Sequence, residues 1–144
     1  MLFQNERASL KLDIVSYELP AGVGDPQSDD RNWLLLRATW NEDGEIVKDS
    51  NACLLTYELQ ELTAGLKVLN AGIRDAYESD FAEPYFSLSA RADGDGFTFS
   101  VSFYLPNIMS GEDTAEVTCF MDRAQMRTLL DELSALCDKF PDRP

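Results

Sequence analysis

Apolar residues recur three or four positions apart in two separate stretches of this chain, and alternate with polar ones through most of the rest. The first stretch runs Cys53-Leu-Leu-Thr-Tyr-Glu-Leu-Gln-Glu-Leu-Thr-Ala-Gly-Leu-Lys-Val-Leu69. Leu59, Leu62, Leu66 and Leu69, with Ile73 a turn further on, form one stripe of an amphipathic helix. Thr56 is the expected N-cap, its hydroxyl accepting from an otherwise unpaired amide of the first turn. Glu58 then brings negative charge to the positive end of the helix dipole. The second stretch places Met126, Leu129, Leu130, Leu133, Leu136, Cys137 and Phe140 on one face. Asp122 and Gln125 form an Asp-x-x-Gln variant of the capping box at its start, and Pro141 ends it.

Between and before the helices the period is two. In 8–19, Leu10, Leu12 and Ile14 share a face, and Val15, Tyr17 and Leu19 the other. The phase switch at Ile14–Val15 predicts a bulge, or a strand end covered on both faces. Residues 20–31 carry two prolines, two glycines and three aspartates, which predicts a mobile loop, long for a hairpin connection. Asn32–Asn41 is a strand with Leu34, Leu36, Ala38 and Trp40 inward. Asn41–Gly44 is a turn, and Glu45–Lys48 a short return strand. After the first helix, Tyr77–Pro84 reads as a connection. Phe86, Leu88 and Ala90 then alternate with Tyr85, Ser87, Ser89 and Arg91. Asp93-Gly-Asp-Gly96 is a hairpin turn. Phe97, Phe99, Val101, Phe103 and Leu105 face the core, Asn107–Asp113 is a polar loop, and Ala115, Val117, Cys119 and Met121 line the last strand.

The pattern predicts a single α+β domain over residues 1–144: an antiparallel sheet of about six strands covered by two amphipathic helices, in the order βββα-βββα. Cys-Leu-Leu-Thr and Cys-Phe-Met-Asp precede the two helices at matching places. An internal duplication and convergence on strand–cap–helix grammar explain those four residues equally well.

Composition narrows the function classes. The chain has no His and only three cysteines, Cys53, Cys119 and Cys137, without CxxC spacing. That removes Ser-His-Asp triads, Cys-His dyads, HExxH motifs and Cys/His zinc sites. The cysteines are expected to be buried, reduced thiols. There is no Walker loop and no dinucleotide glycine fingerprint, so no cofactor and no metal are expected. Asp93-Gly-Asp-Gly opens like a calcium loop, but its twelfth position is Tyr104 where a bidentate Glu is needed. Paired carboxylates are the remaining route to hydrolysis. Glu58 and Glu61 share a helix face away from the leucine stripe, where both are expected to be solvated. Asp29–Asp30 and Glu112–Asp113 are loop pairs with no evident cleft.

Net charge is −14, from 26 acidic against 12 basic residues. A field of that sign repels a polyanion, so nucleic acid is not an expected partner. It serves solubility, or it speeds encounter with a cationic protein. The acid is uneven: from Asp75 to Glu116 nine acidic residues face the single Arg91. Asp29, Asp30, Glu78, Asp80, Asp93, Asp95, Glu112 and Asp113 are therefore the candidate partner-binding residues, and whether their loops form one patch depends on the fold. No apolar run approaches the roughly 18–20 residues of a membrane span. Met-Leu-Phe-Gln-Asn-Glu-Arg has neither the basic nor the apolar part of a secretory signal, so a cytoplasmic location is expected.

Taken together, the acidic loop entering Asn32-Trp33-Leu34, the helix opening Cys53-Leu-Leu-Thr-Tyr-Glu-Leu59, the strand start Glu83-Pro84 and the close Phe140-Pro-Asp-Arg143 resemble the WapI-type bacterial immunity proteins. The resemblance spans nearly the whole chain, though each motif is short. It implies a non-enzymatic protein that binds and neutralises the toxic domain of a sister cell's exported protein. Such domains are often cationic nucleases, which would give the acidic charge a purpose. It carries over no contact residue. Two other classes stand beside it: an accessory or structural interaction domain of a mobile element, and a carboxylate-dependent hydrolase. Salt-sensitive binding marks the inhibitor, salt-indifferent binding the structural domain, and two carboxyls converging in a shielded pocket the hydrolase.

Overall fold

Eight strands and two helices form in the computed structural model, which describes residues 1–106, 108 and 111–144. Strands β1 (Leu2–Gln4), β2 (Ala8–Tyr17), β3 (Trp33–Glu42) and β4 (Glu45–Leu55) make one antiparallel sheet in that order, and helix α1 (Thr56–Asn70) follows. Strands β5 (Ala76–Glu78), β6 (Phe86–Asp93), β7 (Gly96–Tyr104) and β8 (Thr114–Met121) make a second, and helix α2 (Arg123–Lys139) follows. The α+β class and the two-fold recurrence are as the pattern predicts. The count is eight strands in two sheets rather than about six in one. The two extra strands, β1 and β5, have three residues each, too few for alternation to register. β5 occupies the start of the stretch predicted as a connection, held by its pairing with β6.

Strand polarity follows the alternation closely. Leu10, Leu12, Leu34, Leu36, Ala38, Phe86, Leu88, Phe99, Val101, Phe103, Ala115 and Val117 are all buried. The phase switch in β2 is a bulge: pairing with β3 steps from Ile14–Leu36 to Ser16–Leu35, and Val15 is left outside the ladder. The β3–β4 turn places Asp43 at φ 50° and Gly44 at φ 84°, the left-handed pair that a tight hairpin requires. β4 runs eleven residues, with a register shift that leaves Cys53 out of the ladder, where Glu45–Lys48 is the expected strand. Asp49, Ser50 and Asn51 look like a loop by composition but pair with Ala38, Arg37 and Leu36. The predicted loop Asn107–Asp113 lies partly outside the described residues.

The two helices lie side by side, the last turns of α2 against the first of α1: Cys137 Sγ is 3.4 Å from Thr63 Oγ1 and 3.9 Å from Leu59 O. Asp122 and Gln125 form the expected capping box, each side chain accepting from the other's amide at 2.8 Å. The start of α1 corrects the sequence reading. Leu55 is the N-cap residue, Thr56 is the first helical residue, and the Thr56 hydroxyl donates to Asp142 instead of accepting from the helix. Ile73 is not part of the stripe; Gly72, at φ 74°, ends the helix before it, and Ile73 is 74% exposed. Gly65 is the one helical position where a side chain has no room. A Cβ there would sit 2.3 Å from the Tyr77 ring, so glycine lets β5 close on α1.

One core fills the space between the sheets and the helix pair, with the Phe3 and Phe99 rings of opposite sheets 5.9 Å apart. The sheets meet where β1 approaches β8, and Asn5 Nδ2 donates to Thr118 O across that seam at 3.0 Å. Loop 20–31, predicted as mobile, is laced by its own side chains. Asp30 accepts from Asp25 N, Asp25 accepts from Gln27 N, and Arg31 Nε donates to Gly24 O at 2.9 Å.

Candidate partner-binding surface

The middle of the outward face of the second sheet is made of small hydroxylated residues, with Glu, Arg and Phe toward its margins. Register aligns them in rows: Glu116–Ser102–Ser87, then Thr118–Ser100–Ser89–Glu78, then Phe120–Thr98–Arg91–Ala76. Ser87 and Ser102 share a hydrogen bond, as do Ser100 and Thr118 at 3.3 Å. The middle rows form a shallow trough of about 230 Å³ flanked by Glu78 and Glu116. Short hydroxyl side chains have little rotamer freedom to lose, so ordering them against a partner costs little. The sequence carries this signal, because every outward position of Ser87–Ser89 and Thr98–Ser102 is Ser or Thr, but alternation by itself marks only the buried face.

The acidic loops fall at opposite ends of this sheet. At the β6–β7 turn lie Asp93 and Asp95, joined by Asp75, whose carbonyl accepts from Ala92 N. At the other end lie Asp80 and Glu83 in the loop before β6, and Glu112 and Asp113 before β8, where Leu105 N donates to Asp113 O. Nine-residue β7 separates the two ends by roughly 30 Å, nearly four Debye lengths at physiological salt. The acids therefore form two rims around a hydroxyl field, with Glu78 between them, and not one continuous patch.

Asp29 and Asp30 stand apart in a single 3-10 turn, Asp29–Asn32, capped by Ser28. Their neighbours are on α1: burial raises the Tyr57 phenol above its ordinary value, and Asp29, Glu58 and Glu61 raise it further. Glu132 pairs with the Met1 amine at 3.3 Å and Lys11 with Asp13 at 3.9 Å. Asp93 accepts from Thr98 Oγ1 at 2.6 Å.

Glu58 overturns the expectation that it is solvated with Glu61. It is 3% exposed, and its carboxylate accepts from Leu55 N at 2.9 Å and from Ala82 N at 2.7 Å. It is a buried tie between α1 and the loop before β6, while Glu61 stays exposed. No local pattern reveals this, because Ala82 is 24 residues away. Glu78 and Glu116 do flank one trough, but three strand spacings separate β5 from β8, about 14 Å. Cys53 and Cys119 are buried and all three thiols are free. Burial, reinforced by Glu58 and Glu83, pushes Cys53 up to about 12. No helix among the described residues is long and apolar enough to cross a membrane.

The sequence profile described as the immunity protein WapI-like family matches residues 1–141. No curated protein matches the chain in sequence. Among solved structures, WHY1 from Arabidopsis thaliana is similar at 18% identity and a TM-score of 0.51, over 96% of this chain and 81% of that one. WHY3 from the same plant aligns at 16% identity and 0.48, over 97% and 86%. The plant transcriptional regulator PBF-2 aligns at 16% identity and 0.49, over 96% and 79%. The likeness to WHY1 is one of fold.

Proposed function

Since its profile match takes in residues 1–141, this chain belongs to the WapI-like immunity protein family, and from that premise we propose that it is a non-enzymatic inhibitor that covers a cationic toxin domain with its second sheet. The observation that carries this reading is the hydroxyl face between two acidic rims, with Arg91 the one cation from Asp75 to Glu116. The rims would draw a basic surface in and orient it, raising the rate of encounter. The short hydroxyls between them would accept and donate hydrogen bonds at close approach without a bulky side chain in the way. A nuclease-like toxin presents positive charge where nucleic acid binds, and an acidic inhibitor seated there blocks substrate by bulk and by charge together. Action in the cytoplasm, where such a toxin meets its target, is part of the same proposal, and nucleic acid is not a partner in it.

The test uses the protein as bait in lysate of its source organism, eluted with a salt gradient, followed by co-expression with whatever domain is recovered. The expected result is one basic domain released at moderate salt, whose toxicity is relieved by this protein. Ser89→Arg and Ser100→Arg, in the middle of the hydroxyl face, should abolish capture without lowering Tm. A captured domain that ignores both substitutions and stays bound in high salt would overturn the reading.

One observation favours a second reading. Leu2 and Phe120 are 46% and 54% exposed, and they flank a groove of about 250 Å³ between β1, β8 and α2. An accessory interaction domain would use that groove, and its binding would be nearly independent of salt.

A further inference from the structure

The segment after α2 crosses the molecule and joins three parts that are distant in sequence. Tyr17 Oη donates to Pro141 O. Asp142 Oδ1 accepts from Thr56 Oγ1 and from Gln60 Nε2 at 3.2 Å, placing a carboxylate at the N-terminus of α1, where the helix dipole favours it. Arg143 then reaches both ends of loop 20–31. Its Nη2 donates to Leu19 O at 3.0 Å and its Nε to Arg31 O at 2.8 Å. Its backbone exchanges hydrogen bonds with the Asn32 side chain at 2.7 and 3.1 Å. The guanidinium carbon lies 3.7 Å from the centre of the Tyr17 ring, a stacking that arginine makes and a point charge does not.

We propose that Asp142 and Arg143 are a clasp, with Arg143 as the positioning residue that closes loop 20–31 and fixes Asp29 and Asp30 beside the first turn of α1. A planar fork that binds the carbonyls at both ends of a loop removes the freedom those ends would otherwise have. Arg31, held from behind by Arg143, turns inward to Gly24 O and Gly22 O. Without the clasp the loop keeps its internal bonds and the one from Arg31 Nη1 to Pro144 O at 2.8 Å, and the Asp29–Asn32 turn loses its hold on Arg143. Among the acids singled out, Asp29 and Asp30 sit on a segment whose placement this tail controls, so under the inhibitor reading on which this bears, the clasp sets whether that acidic corner is presented or withdrawn.

Hydrogen exchange of the free protein tests this without a partner, so its outcome is independent of whether a toxin is ever found. In Arg143→Met, which keeps the stem and removes the fork, exchange at Val23, Asp25, Gln27 and Ser28 should rise at least tenfold. The β7 amides of Phe99 and Val101 should not change. Asn32→Ala, which removes the separate bonds between the Asn32 side chain and the Arg143 backbone, should give the same loop-confined pattern. Titration of Tyr57 followed by NMR should move downward in both variants as Asp29 leaves it. Unchanged loop exchange in both variants, or an equal rise in loop and β7, would overturn the clasp.

Discussion

Replacing Glu58 separates a structural carboxylate from its solvated neighbour Glu61 on the same helix. In Glu58→Ala the amides of Leu55 and Ala82 both lose their acceptor. Leu55 is fully buried, so its amide stands near the upper end of the roughly 1–3 kcal/mol cost of an unsatisfied buried group. Ala82 is exposed and water replaces most of what it loses, which puts it near 1 kcal/mol on the same scale. Alanine returns about 0.5 kcal/mol of helix propensity. The expected loss is about 3 kcal/mol. At an m-value of about 2 kcal/mol/M this moves the urea midpoint down by about 1.5 M, and Tm by roughly 6–12 °C. Glu58→Gln keeps one acceptor but turns an amide N–H toward the other donor, and should cost about 2 kcal/mol. Glu61→Ala should stay within about 0.5 kcal/mol of the parent, as exposed substitutions do. A Glu58→Ala protein less than 1 kcal/mol below the parent, or indistinguishable from Glu61→Ala, would refute the buried tie.

Two further perturbations test the packing around the same helix. Burial raises Cys53 and Tyr77 to about 12, so the fold favours their neutral forms; that stability is intact below pH 8.5 and lost as pH climbs toward 12. Cys53 should contribute a fall of at most about 1.4 kcal/mol per pH unit once its unfolded value is passed, and Tyr77, which is only part-buried, a smaller one above pH 10. Cys53→Ala should therefore flatten urea stability between pH 9 and 10 relative to the parent, and an unchanged slope there would count against a buried neutral thiol. Gly65→Ala should destabilise by about 1–2 kcal/mol because overpacking against Tyr77 outweighs the helix gain. In a Tyr77→Ala background the same change should instead stabilise by about 0.5–1 kcal/mol, and a double-mutant cycle without that change of sign would show that the ring is not the obstacle.

The legible part of this fold is the part written in neighbouring residues. Alternation in Phe97–Leu105 and the spacing of Met126, Leu129 and Leu133 each state which face is buried, and the structure buries those faces. The Ile14–Val15 bulge was visible for the same reason. What escaped depends on residues far apart. β1 exists because Phe3 pairs with Leu10 and packs on Phe99, and three residues alone state nothing. Polar Asp49-Ser-Asn51 is strand because β3 runs beside it. Thr56 has the chemistry of a cap, but Glu58 already takes the Leu55 amide and Asp142, 86 residues on, takes the hydroxyl. The candidate surface divides likewise. Six of its eight acids lie around one sheet, and their division into two rims follows from strand direction, which no composition records.

The seam between β1 and β8 also bears on how the protein is made. Asn5 and Thr118 are 113 residues apart, so at roughly 5–20 residues per second a ribosome needs about 6–23 s to deliver the second after the first. During that interval the first sheet has an open edge at β1 and an unfilled space beside Phe3. An unguarded edge of that kind pairs readily with other chains, and many copies growing on one message bring identical edges close together. A chain stalled before Thr114 should therefore aggregate more readily than the finished protein, in which β8 lies against β1.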